Sequence, residues 1–225
     1  MSIDISVVTF GLPILLRGLV NTILFSFAAI AVALIVGPCV ALAQLSRQPM
    51  LRRPAATFVE ILRNTPFLIQ AFLFFYGLAA MGLRVNAAVA GIFTLIVFGT
   101  ATFSESFRGA IQSVSPGQTE AATALGMSYR QALRLVIFPQ MWGYLIPSIT
   151  NQATGLIKEC SVLSVITVPE IAMAAQFVIG ETFSPTETYV MIALLYWVLT
   201  GAVTGFLAIF RRGYVGTPDE LFLRP

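Results

Sequence analysis

Five stretches of this chain carry no charged residue: Arg17 to Arg47, Arg63 to Arg84, Arg84 to Glu105, Arg134 to Lys158, and Glu187 to Arg211. Each holds about 20 residues or more, the length a helix needs to cross a bilayer core. Unpaired backbone groups cost several kcal/mol each in lipid, so helices are the expected spanning element. The ~10-residue alternating segments of a membrane β-barrel are not visible. The pattern predicts spans at 18–43, 55–80, 87–108, 141–166 and 185–210. It predicts one membrane domain over 1–225, without internal repeats.

Local punctuation adds detail. Ser184-Pro185-Thr186-Glu187 reads as a capping box opening the last span. Thr167 to Glu170, with Pro169 between, predicts the start of a short external helix that Gly180 ends. "ISVVTFGLPILL" is apolar but too short to span, so it reads as an interfacial lead-in to the first span. Asp4 without a basic residue in the first 16 does not fit the positive start of a cleavable signal peptide.

One polar insert interrupts the spans. Ser115-Pro116-Gly117-Gln118 is a helix-start signature, and Gly126 supplies a left-handed stop. Ser128-Tyr129-Arg130-Gln131 repeats the signature and starts a second helix, which Pro139 is expected to interrupt. Residues 115–139 therefore predict two short helices meeting at a glycine corner. The first carries Ala121, Ala122 and Ala124 around Glu120, small side chains that permit close approach to another protein. A plain connector needs no such punctuation.

Composition agrees with a membrane protein: 57% of the 225 residues are hydrophobic and 10% charged, and mean hydropathy is +0.88. A soluble domain carries about 25% charged residues. The net charge of +3 reflects loop placement and does not suggest nucleic acid as a partner. With the N-terminus outside, the inner side receives Arg47, Arg52, Arg53, Arg108, Arg130, Arg134, Arg211, Arg212 and Arg224. The outer side receives only Arg17 and Arg84. Basic residues favour cytoplasmic loops, so the expected orientation is N-out and C-in, with the elbow in the cytoplasm. Cys39 and Cys160 read as two buried thiols, and histidine is absent, so no metal or catalytic constellation is expected.

Polar residues inside spans normally face a cavity or a partner. Three stripes appear: Glu60, Arg63, Asn64, Phe67 and Gln70; then Thr94, Phe98, Glu105 and Arg108; then Asn151, Thr154, Lys158 and Ser161 beside Glu159. Arg108 sits where it can snorkel to headgroups, and Glu60 with Arg63 can form a local ion pair. Lys158 and Glu159 stand far from any span end. They either line a substrate path or pair structurally with Glu105 or a partner subunit. The candidates for a path are Lys158, Glu159, Glu105, Arg63, Asn151 and Ser161.

Glu120-Ala121-Ala122, then Gly126, then Ile137 with Pro139, resembles the EAA loop of bacterial ABC importer membrane subunits. "LLRGLVNTILFS", "VEILRNTPFLIQ", "SFRGAIQSVSPGQTEAATALGMS" and "LIKECSVLSVITVPEI" resemble, in order, segments of the polar amino acid permease family. The resemblance implies an all-α membrane subunit: a bundle of five transmembrane helices with a two-helix elbow, in the bacterial cytoplasmic (inner) membrane. It implies coupling to an ATPase through Glu120, Ala121, Ala122, Gly126 and Arg130. It further implies two permease subunits, alike or different, a dimer of ATPase subunits that bind ATP and Mg²⁺, and an external substrate-binding protein. The chain itself has no Gly-x-x-x-x-Gly-Lys-Ser/Thr loop for nucleotide phosphates. An ion-coupled secondary carrier is the alternative. The chain departs from common family wording at Arg63-Asn64-Thr65-Pro66 and at Lys158-Glu159-Cys160-Ser161-Val162.

Overall fold

The computed structural model describes residues 4–214, with side chains through Ile209. Arg224, and the side chains of Arg211 and Arg212, therefore lie outside the described residues. Eight helices are described: α1 (Ile5–Gln44), α2 (Pro49–Asn64), α3 (Phe67–Ala80), α4 (Ala87–Ser113), α5 (Pro116–Ala124), α6 (Tyr129–Ile166), α7 (Ile171–Thr182) and α8 (Pro185–Tyr214). Helices α1, α4 and α8 are each long and apolar enough to cross a membrane, and the bent pairs α2–α3 and α6–α7 bring the possible crossings to five.

Helix α1 overturns the expected interfacial lead-in. Its 40 residues form one helix, about 60 Å long at 1.5 Å per residue. Asp4 caps it by accepting the Ser6 N–H at 2.9 Å. Pro13 removes one backbone bond but does not end it, because the flanking turns are packed: Val7 and Leu15 are buried against Ala175, Val178 and Met191. Tertiary burial outweighs the proline.

The second expected span, 55–80, is not straight. Helices α2 and α3 meet at 107° across Thr65–Pro66. Proline bars its predecessor from helical geometry, and Thr65 is extended at φ −106°, ψ 133°. Buried Gln70 reaches back over the break, its Nε2 donating to the carbonyls of Leu62 at 2.7 Å and Thr65 at 3.0 Å. Gln70 thus satisfies the open end of α2, and the stripe drawn from Glu60 to Gln70 is divided by the bend.

Helix α6 also departs from expectation, since Pro139 does not interrupt it. A π-helical turn, Leu133–Ile137, precedes the proline, and the Phe138 N–H reaches the Leu133 carbonyl. Widening the turn accommodates the ring without breaking the helix. The last turn, Cys160–Ile166, tightens to 3₁₀ geometry and ends on Thr167 at φ 63°. Thr167 is thereby used as a stop, and the cap of α7 is Glu170, which accepts the Met173 N–H at 2.8 Å. Helix α7 runs past Gly180 to Thr182 and closes on the left-handed Phe183. At the start of α8 the Ser184 hydroxyl donates to the Thr182 carbonyl at 3.1 Å, so it is turned toward the preceding turn.

Helices α1, α4 and α6 form the central layer around Leu95, Phe103, Leu156, Ile157 and Leu163. Glycines set the spacing. Gly99 of α4 lies against Ala33 of α1 and Leu156 of α6, and Gly91 lies against Leu163 and Val168. At Gly18 a Cβ would stand 2.8 Å from the Ile171 Cα and 2.9 Å from the Ala174 Cβ. Backbone cannot yield there as a flexible side chain would, so Gly18→Ala should cost about 1–3 kcal/mol. At Gly201 nothing lies within 4 Å, and Gly201→Ala should be near neutral. Thermal unfolding in detergent tests the contrast: equal melting temperatures for the two variants would refute the close approach.

Candidate coupling elbow and transport path

Helix α5 starts at Pro116 as predicted, though Ser115 makes no side-chain cap bond. It ends in a closed turn: Met127 N–H donates to the Ala122 carbonyl at 3.0 Å, and Gly126 N–H to the Thr123 carbonyl at 2.9 Å. This paired pattern requires a left-handed residue, and Gly126 has φ +77°. One residue on, Ser128 and Gln131 complete a reciprocal capping box that starts α6. Ala122 is buried, whereas Glu120, Ala121, Gly126 and Arg130 are exposed, and Leu125 is 82% exposed. The result is a rigid corner with an unburied apolar tip between an acid and a base.

Glu105 on α4 joins two arginines. It accepts Arg63 Nη1 at 2.9 Å from α2, and Arg108 Nε and Nη2 at 2.8 and 2.7 Å from one turn along its own helix. Arg108 also donates to Gln112 at 2.7 Å. This replaces the expected Glu60–Arg63 pair: Val59 and Leu62 pack on Ala101 of α4 and set Arg63 beside Glu105. The Arg108 guanidinium, one third exposed, is engaged by Glu105 and Gln112. Glu105→Gln would leave both guanidinium groups without their carboxylate. The cost should be about 1 kcal/mol, toward the low end for charge-assisted bonds because Arg63 is half exposed, and the melting temperature should fall by ~2–4 °C. An unchanged melting temperature would show that the triad contributes nothing.

The remaining path candidates lie elsewhere. Helices α4 and α6 run in opposite directions, with Gly91 against Leu163, Gly99 against Leu156, and the Ser148 hydroxyl bonded to Ser106 at 2.8 Å. Glu105 is therefore level with Ser148, and Lys158 lies about 15 Å further along α6. Lys158 and Glu159 form no ion pair among the described residues, which excludes pairing with Glu105 within the chain. Lys158 is exposed and Glu159 half-buried. Asn151 is exposed between the two levels, and the Ser161 hydroxyl donates to the Lys158 carbonyl at 2.7 Å. Arg63 with Glu105 and Lys158 with Glu159 are thus two separate groups. Cys160 is buried, but Cys39, expected to be buried, is exposed and its thiol donates to the Ile35 carbonyl at 3.7 Å.

Sequence reasoning read Glu170 only as part of a helix start, yet it is fully buried. Its second oxygen lies 3.4 Å from the Tyr196 hydroxyl. Beside it, Asn21 donates to the Pro169 carbonyl at 2.6 Å, and Thr22 accepts the Ile171 N–H at 3.1 Å. These bonds tie α1 to the turn between α6 and α7. The available signal was an acid directly before an apolar run.

Two bent helix pairs, a tightly packed three-helix centre and a protruding capped elbow make an all-helical membrane subunit. The chain belongs to the family described as binding-protein-dependent transport system inner membrane component, which matches residues 29–215. A probable amino-acid ABC transporter permease protein of Bacillus subtilis (strain 168), YckA, is 32% identical over 202 residues, 90% of this chain and 89% of the relative. A probable glutamine ABC transporter permease of the same organism, GlnM, is 34% identical over 197 residues, covering 88% and 91%. An amino acid ABC transporter crystallised with histidines superposes with a TM-score of 0.88 at 32% identity, covering 94% of this chain and 99% of the other. The MetNI methionine ABC transporter in inward-facing conformations shares the fold, with a TM-score of 0.74 at 19% identity, covering 91% and 97%. The chain is accordingly a non-catalytic membrane subunit of an ABC importer, and ATP hydrolysis belongs to a separate chain. Family membership implies an ATPase and a substrate-binding protein as partners in general.

Proposed function

We propose that this chain carries polar or charged amino acids inward by alternating access, as one of two permease subunits driven by two ATPases that hold ATP and Mg²⁺. The observation that carries the reading is Lys158 beside Glu159, unpaired among the described residues and about 15 Å from the ion triad. A lysine at that depth cannot rest in lipid, so this face of α6 meets a second permease subunit and a polar path. An amino acid brings a carboxylate and an ammonium, which a fixed Lys and Glu complement. Asn151 and Ser161 border the same route, whereas Arg63 and Glu105 hold its far end by their mutual bond.

The surplus of arginines favours N-out and C-in, with the elbow in the cytoplasm. Glu120, Ala121, Gly126 and Arg130 then form the surface seated in the ATPase, with Leu125 as its apolar contact and Ala122 packed beneath it. Closing of the ATPase dimer moves α5, and the continuous α6 transmits that motion to Lys158. The binding protein docks at the opposite face, near α7. Tagged chain should copurify with an ATPase and yield ATP-dependent amino acid uptake when reconstituted with its binding protein. Uptake that needs no ATP and collapses with an ionophore would instead establish an ion-coupled carrier.

A further inference from the structure

The ion triad floors a larger polar cavity of about 510 Å³, bounded by the end of α1, one face of α2 and the last turns of α4. Arg52, Arg53, Arg63 and Arg108 line it against only Glu60 and Glu105, an excess of two positive charges. Arg108 is already engaged by Glu105 and Gln112. Arg63 commits one Nη1 to Glu105 and is half exposed, so most of its donors are open. The guanidinium groups of Arg52 and Arg53 make no ion pair among the described residues. Open guanidinium groups converging on a concavity form a site for a phosphate, whose oxygens accept paired N–H donors.

The rest of α2 indicates what carries that phosphate. On a helical wheel Leu51, Phe58 and Ile61 fall opposite the arginines, and they are 53%, 36% and 59% exposed. Val59 and Leu62 pack on Ala101 of α4, fixing the helix along the bundle. A helix with one side packed on protein, one apolar side open and one basic side open lies in the bilayer interface. The 107° bend at Thr65–Pro66 sets α2 across the direction of α3. Basic pockets at that depth between membrane helices take anionic headgroups.

We propose that this cavity binds the phosphate of an anionic phospholipid, with Arg52, Arg53 and the open donors of Arg63 holding it and α2 lying among the acyl chains. The bound headgroup neutralises the excess charge and pins α2 to α4 directly beside the hinge at Thr65–Pro66. The site lies at the end of the route held by Arg63 and Glu105, about 15 Å along α6 from Lys158, and its lipid occupancy is read without cargo.

The complex with its ATPase, exchanged into detergent with defined lipids, provides the test by native mass spectrometry. Wild type should retain phosphatidylglycerol or cardiolipin over phosphatidylethanolamine, and Arg52→Gln/Arg53→Gln should lower retention roughly tenfold or more. Arg17→Gln/Arg84→Gln, which removes the same charge away from the cavity, should leave it unchanged. Arg52→Lys/Arg53→Lys keeps the charge without the paired donors and should restore part of it, which separates charge from any loss of folding. Equal retention by the Gln variant, or no preference for anionic lipid in wild type, overturns the site. Displacement of the lipid by millimolar inorganic phosphate alone overturns the lipid as the source and assigns the cavity to a soluble anion.

Discussion

Lys158→Ala should lower amino acid uptake by about 10- to 100-fold while the complex with the ATPase still assembles, because one charge-assisted contact to cargo is worth roughly 1.5–3 kcal/mol. Glu159→Ala should act in the same direction on the ammonium side of the ligand. Neither residue makes an ion pair among the described residues, so neither substitution breaks one there. Uptake kinetics in proteoliposomes, alongside the elution profile of the assembled complex, distinguish a transport defect from a folding defect. Lys158→Arg should recover part of the activity, since the charge is kept and only its shape changes. Wild-type kinetics in both alanine variants would remove the pair from the path.

The second large effect belongs to the elbow. Gly126→Pro demands φ near −65° where the chain has +77°, and it deletes the N–H that donates to Thr123. The corner between α5 and α6 would open, although no side chain lies within 4 Å of that position to clash. Membrane insertion should therefore survive while ATP hydrolysis loses its dependence on substrate and binding protein. Glu120→Lys reverses the charge on the exposed face without touching the fold and should uncouple in the same way. Hydrolysis and uptake measured in one preparation give the answer: normal coupling in both variants would reduce the elbow to a linker. Gly126→Ala separates strain from shape, since a single left-handed alanine costs only about 1–2 kcal/mol and should leave partial coupling.

Much of this was legible because it rests on local rules. The elbow's start and corner follow from Ser115-Pro116, Gly126 and the Ser128–Gln131 box, which operate within a few residues and need no distant partner. Long apolar stretches likewise announce helices whatever their neighbours. Pairing of charges was not legible. Arg63 has Glu60 one turn away, yet it binds Glu105, 42 positions on, because α2 packs on α4 through Val59 and Leu62. Gln70 read as a polar lining residue and proved to be the cap of the helix before it.

Three features mark the boundary between what each level decides. Helix existence, the glycine corner and the uneven arginines are properties of the sequence alone, since propensity, capping and insertion energy act locally. Continuity of helices is not: Pro13 and Pro139 are tolerated where packing or a widened turn compensates, while Pro66 breaks its helix and Gln70 seals the break. The role of each buried charge belongs to the tertiary structure as well. Electrostatic partners are chosen by distance in space, and only the packed bundle brings Glu105 to two arginines and Glu170 to Tyr196, and leaves Lys158 without an ion pair among the described residues.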